Sequence, residues 1–374
     1  MISEQDIDTK AFEGIDARQI GLLIKRMRNR TDFKQIDVAQ WMQISQNTLI
    51  EIESGAKKVK LIEMLKLAKI YCRSSSVSFC LKKHKPEYRL IEQFGDVTKN
   101  KSLVKAINRL EDLSKGYMEL ERIVRENPFR ELSDDRVSLN SDGTLYEQIE
   151  AIAHTARVFL NLEDDAVEDV RAVLEKQLGI RIFFIKMPKK IFSIYCYDDI
   201  LGACIAINSC YNHYSRRWYL IQTYFHFLTN PKQPLIQTKN DKISEVFASC
   251  FLIPLGSIKN NFNQIIENSR SLTIQHISQL AMYYGACPRL LVLRLEMIGL
   301  LPLNYWKSFT ESDFAHSQLI WVPGKELNPG LVPVNSSRCR FLATLALTEG
   351  RISGYEFLKY LHLTGIEEKY LMDF

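Results

Sequence analysis

Hydrophobic positions recur at helical spacing through most of the chain. In residues 18–30, Ile20, Leu23, Ile24 and Met27 share one face, while Lys25, Arg26, Arg28 and Arg30 lie on others. A short second helix is predicted over Gln35–Met42, with Ile36, Ala39, Trp41 and Met42 turned inward. After a tight break at 43–45, Ser45 stands ready to N-cap a third helix over 46–53, which Ser54 and Gly55 stop. A fourth helix over 61–71 closes the bundle. Leu103, Ile107, Leu110, Leu113, Tyr117 and Leu120 then follow at three- and four-residue steps, predicting a packed helix or a short dimerisation helix.

The pattern changes near residue 140, after breaks at Asn127-Pro128 and at 140–143. Helices predicted over 146–160 and 167–178 lead into β-rich runs at 180–185, 192–197 and 203–207. Helices over 217–228 and 243–252 come next, and two helices, a small sheet and a helix pair make an α+β order. A helical unit at 277–301 precedes a predicted strand at 318–322 and helical runs at 337–349 and 352–363. The expected fold is mainly α with a small α+β domain. Its segments read as an arm (1–16), a helix-turn-helix bundle (17–85), a helical linker (86–140), the α+β domain (141–301) and a mixed C-terminal extension (302–374).

Composition narrows the class. A hydrophobic fraction of 46% over 374 residues is too high for disorder, and 16 Gly with 11 Pro are too few for a fibrous or linker-rich chain. No run approaches the roughly 18 apolar residues of a membrane span. The polar, acidic start MISEQDIDTK does not read as a signal peptide. Eight Cys without a CxxC suit reduced thiols, and a cytoplasmic location is expected.

The net charge of +5 is uninformative until it is divided. Residues 18–85 hold fifteen Lys/Arg against five Asp/Glu, a local +10 that leaves about −5 for the rest. A concentrated basic module is an electrostatic footprint for nucleic acid, although a solvated Lys-rich surface would give the same count. Two short helices joined by a tight turn inside a bundle weigh toward DNA.

The run QIDVAQWMQISQNTLIEIESGAKKVKLIEMLKLAKIY resembles the XRE/Cro-type helix-turn-helix. It matches at Gln35, at the small Ala39, at Ile44-Ser45 in the turn, at Thr48, and at Ile52-Glu53 followed by Gly55. The resemblance implies that Gln35, Gln46, Asn47 and Thr48 face DNA, since Gln and Asn can pair bidentately with adenine. Lys57, Lys58 and Lys60 would neutralise phosphates. Ile50 and Glu51 depart from the pattern, and Glu51 would repel phosphate unless it accepts from a cytosine amino group or points aside.

The second half resembles the ImmA/IrrE family, a zincin-like α+β domain often fused to XRE modules. LEKQLGIRIFFI (174–185), ACIAIN (203–208), RRWYLIQTYFHFL (216–228), VFASCFLIP (246–254) and the helical unit 277–301 carry that resemblance. The family's chemistry lies in H-E-x-x-H, where two His on one helix face hold Zn²⁺ and the Glu serves as general base. Carried over by position, the first His is Gln222, the Glu is Thr223 and the second His is His226. The acidic third ligand is Asp241, six residues before Phe247-Ala248. Gln is a weak zinc ligand and Thr cannot accept a proton from water near neutral pH. The resemblance therefore implies a pseudo-peptidase with a vestigial zinc site, with no cofactor expected and no catalytic residue assigned. His226 then reads as a core or pocket histidine bonded to a neighbour such as Asp241.

Other chemistry is thin. Cys196, Cys204 and Cys210 match no metal spacing and read as buried structural thiols. Trp218, Tyr219, Tyr224, Phe225 and Phe227 read as core, with a vacated cleft for an apolar ligand as the alternative. Cys339 between Arg338 and Arg340 could have a depressed pKa, against an ordinary thiol. The function expected is a homodimeric XRE-family regulator binding operator DNA, its second domain sensing a small-molecule or protein effector. The alternatives are a metallopeptidase-like enzyme that cleaves a partner repressor, and an antitoxin or defence-system regulator acting through a partner.

Overall fold

The computed structural model describes residues 16–30, 33–60, 63–64, 66–67, 70, 90–95, 100–125, 143–239, 241–308 and 337–363. The predicted strand at 318–322 and most of the fourth helix at 61–71 lie outside them. The described residues are mainly helical with a small mixed sheet, and the chain divides into two compact units.

One unit comprises residues 1–89, 111–128 and 333–374. Its first helices are α1 (Ala17–Arg30), α2 (Gln35–Met42) and α3 (Gln46–Ser54). Ile20, Leu23, Ile24 and Met27 of α1 are buried, as their spacing predicts. Gly21 lets α1 approach α3 closely: a Cβ there would lie 2.4 Å from the Ile52 carbonyl oxygen. Gln43 ends α2 in the left-handed region, and the Ser45 hydroxyl accepts from Thr48 N–H at 3.1 Å to start α3. An ion pair ties the three helices, with Arg28 Nε donating to Glu53 Oε1 at 2.6 Å and Gln35 Nε2 donating to Glu53 Oε2 at 2.8 Å.

Two residues expected inside are outside. Ile36 and Trp41 are 49% and 52% exposed, because an eight-residue helix offers one inward stripe and Val38, Ala39 and Met42 fill it. Trp41 instead packs edge-on against Phe33 at 5.0 Å.

The long helix α4 (Lys101–Val124) buries Leu103, Ile107, Leu110, Leu113, Tyr117 and Leu120 along one stripe. Its residues from Glu111 onward belong to this first unit, as do the C-terminal helices α12 (Ser337–Thr348) and α13 (Gly354–Leu363). Arg338 donates to both Tyr117 Oη and Glu121 Oε1 at 2.8 Å, and α12 also meets α1. Cys339 is buried, and the guanidinium of neighbouring Arg338 is engaged by Glu121, so the exposed electropositive setting of a reactive thiol is missing.

The second unit comprises residues 90–110 and 129–332. It holds the first residues of α4, then α5 (Leu145–Phe159), started by a Thr144/Glu147 capping box, and α6 (Val170–Leu178), capped by Asp169. Strands β1 (Arg181–Ile185), β2 (Ser193–Asp198), β3 (Gly202–Asn208) and β4 (Leu235–Gln237) form a sheet in the order β1-β3-β2-β4. β1 runs parallel to β3, and the other two pairings are antiparallel. The helices are α7 (His213–Thr229), α8 (Lys242–Leu252), α9 (Leu255–Ser269), α10 (Ile274–Tyr283) and α11 (Pro288–Met297). α7 starts four residues before its predicted start at 217, because Asn212 caps it by accepting from Ser215 N–H. α8 packs on both α5 and α7.

Candidate functional site

The positions that correspond to H-E-x-x-H lie along α7, between the sheet and α8. Gln222 and Thr223 are fully enclosed, at 1% and 0% exposure. The Gln222 side-chain Oε1 accepts from Gln237 Nε2 at 2.6 Å and from Ser244 Oγ at 3.4 Å. Thr223 Oγ1 lies 2.7 Å from both Ser193 Oγ and the Tyr219 carbonyl, and Ser193 donates to Gln237 Oε1 at 2.8 Å. Five side chains from α7, β2, β4 and α8 thus close a neutral network, with only Gln222 Nε2 left without an acceptor.

The remaining two positions stand apart from it. His226 Nε2 faces the Gln233 carbonyl at 2.8 Å, and the ring meets Tyr195 edge-on at 5.4 Å. Burial holds His226 below the ordinary histidine range, only partly offset by the Gln233 bond, so its neutral form is favoured. Asp241 is exposed and uses Oδ2 to cap α8, accepting from Ser244 N–H at 3.0 Å. The expected His226–Asp241 hydrogen bond is replaced by the one to Gln233. The residue of α8 that reaches Gln222 is Ser244, one helical turn beyond Asp241.

This donor set does not fit a three-ligand zinc centre. The Gln222 oxygen already takes two donors, Thr223 is neither ligand nor base, and His226 and Asp241 are engaged elsewhere. Among the described residues no group of three His, Cys, Asp or Glu is placed to hold a metal ion. Residues 175–296 match the family model of the IrrE N-terminal-like domain. That segment is similar to this family. No curated protein and no solved structure matches the chain. The matched segment contains Gln222, Thr223, His226 and Asp241 together with the whole neutral network.

Around the network, Tyr224, Phe225 and Phe227 pack with Phe247 and Phe251 as core, and Tyr219 stacks on Phe192 at 4.4 Å. Cys196 and Cys204 are buried opposite each other on β2 and β3. Nearby, Arg294 makes a bidentate pair with Glu150, at 2.6 and 2.7 Å, and also donates to the Ile253 carbonyl. Ser193, Gln237 and Ser244 are the site members that pattern reading missed. The only signal for Gln237 is a three-residue apolar-polar strand after Pro234.

On α3, Gln46 and Asn47 are exposed side by side, followed along the helix by Ile50, Glu51 and Ser54. Thr48 is half-buried, with its hydroxyl 2.9 Å from Ser45 Oγ. Lys58 and Lys60 are exposed, and Lys57 lies 3.9 Å from Glu63. Gln35 differs from the rest of this set, since its amide is spent on Glu53. No helix among the described residues is long and apolar enough to cross a membrane.

Proposed function

We propose that the chain is a DNA-binding transcriptional regulator of the XRE type, with an IrrE-like domain that recognises an effector and performs no zinc-dependent hydrolysis. The observation that carries the second half is the buried Gln222–Thr223–Gln237–Ser193–Ser244 network, which occupies the place of the catalytic His-Glu pair with groups that neither bind zinc well nor accept a proton. The DNA half rests on the helix-turn-helix geometry of α2 and α3 and on the adjacent exposed amides of Gln46 and Asn47. Gln35 then acts by fixing Glu53 and Arg28, not by reading bases. As in other helix-turn-helix regulators, a homodimer on a two-fold operator is the expected assembly.

Capture of fragmented genomic DNA on the purified protein, followed by sequencing, tests the proposal. The wild type enriches one or a few discrete fragments, and Gln46→Ala/Asn47→Ala abolishes that enrichment. Equal recovery of all fragments by both proteins would refute it. Metal analysis of the same preparation is expected to find no stoichiometric zinc; zinc that disappears in His226→Ala would revive the peptidase alternative.

A further inference from the structure

Buried arginines in the IrrE-like unit are expensive, and most are visibly compensated. Arg157, Arg181, Arg217 and Arg294 each donate to a backbone carbonyl or a carboxylate. Arg216 is the contrast: it is 7% exposed, and its buried Nε and Nη1 meet no acceptor. Two of its three guanidinium nitrogens are thus withdrawn from water with no hydrogen-bond acceptor, a costly arrangement.

The surroundings hold positive charge. Arg216 lies over the Phe184 ring at 5.1 Å, and Arg171 lies over the same ring at 4.6 Å. Arg171 is engaged by Glu175 at 3.3 Å and by the Ile182 carbonyl. Asp169 is spent on capping α6. Arg216 is also the fourth residue of the 17-residue helix α7, where the helix dipole is positive. Burial, with Arg171 adding to it, pushes Arg216 down to about 10. His213, one turn earlier, is held below the ordinary histidine range by partial desolvation and then by the charges of Arg217 and Arg216.

We propose that Arg216 anchors a small-anion site at the start of α7, its guanidinium fork receiving the oxygen pair of a carboxylate or phosphoryl group. The planar fork matches either oxyanion bidentately, and no carboxylate of the described residues takes that place. The site deepens the regulator proposal by giving its effector a chemical class, a small anionic molecule. Its test involves no DNA, so its failure would leave DNA binding untouched.

Thermal unfolding of the full chain is measured with inorganic phosphate and with acetate, each exchanged against chloride at constant ionic strength. One or both raise the wild-type midpoint saturably, and which one does so separates phosphoryl from carboxylate recognition. Arg216→Leu loses that response, while its anion-free midpoint holds or rises because an uncompensated charge is gone. Arg216→Lys keeps the charge but not the fork, and binds at least about tenfold more weakly. Occupancy also shifts the His213 titration upward in NMR. No response of the wild type to either anion, or an equal response in Arg216→Leu or Arg216→Lys, would overturn the proposal.

Discussion

Arg294 and Glu150 are held together by two short hydrogen bonds in a place where the guanidinium is fully enclosed. Removing one partner leaves the other charge uncompensated, so Glu150→Ala is expected to cost about 3–5 kcal/mol in chemical denaturation of the second unit. Tyr224 is the opposite case: its buried hydroxyl has no partner, and burial raises its pKa. Tyr224→Phe is therefore expected to be neutral or to stabilise by about 1 kcal/mol, and a loss larger than that would reveal a missed acceptor. His226 links stability to pH. Its value is depressed in the fold, so its contribution is complete above the unfolded histidine value of about 6.5 and is lost progressively as pH falls from there through the lower folded value. The thermal midpoint should drop on acidification across that range, less steeply in His226→Gln, with the residual slope including His213, which is shifted the same way.

At the scale of elements, the caps and close approaches set where helices begin and how near they come. Ser45→Ala removes the acceptor for Thr48 N–H and is expected to lower the stability of the N-terminal unit by about 1 kcal/mol. Gly21→Ala should cost more, because its Cβ would meet a backbone oxygen that no side-chain rotation can move. Both are read by denaturant titration of single variants. These two features also show how much pattern reveals. Ser45 and Gly55 were legible as caps, and the stripe of α4 was legible over six positions, because both depend on local spacing. Ile36 and Trp41 were misplaced because a two-turn helix has too few positions for periodicity to choose its inward face. α9 and the three-residue β4 were not anticipated. β4 brings Gln237 to Ser193 across the sheet, a pairing that no local spacing encodes.

At the scale of the whole chain, Gln222 and Thr223 were legible as departures from H-E-x-x-H, but the closed neutral network they join was not, since it spans four elements. The segment division is similarly non-local: residues 333–374 group with 1–89 and 111–128, whereas reading along the sequence assigned 302–374 to a separate extension. The contrast between a +10 module at 18–85 and a remainder of about −5 concentrates positive charge within the first unit. The most direct test is the affinity of the purified protein for a captured fragment as a function of salt. Binding is expected to weaken steeply, with a log–log slope that shrinks by about 1 for each of Lys58→Ala and Lys60→Ala, while Gln46→Ala/Asn47→Ala removes the preference over a shuffled sequence. A flat salt dependence, or equal affinity for the fragment and its shuffled counterpart, would contradict a DNA-binding regulator.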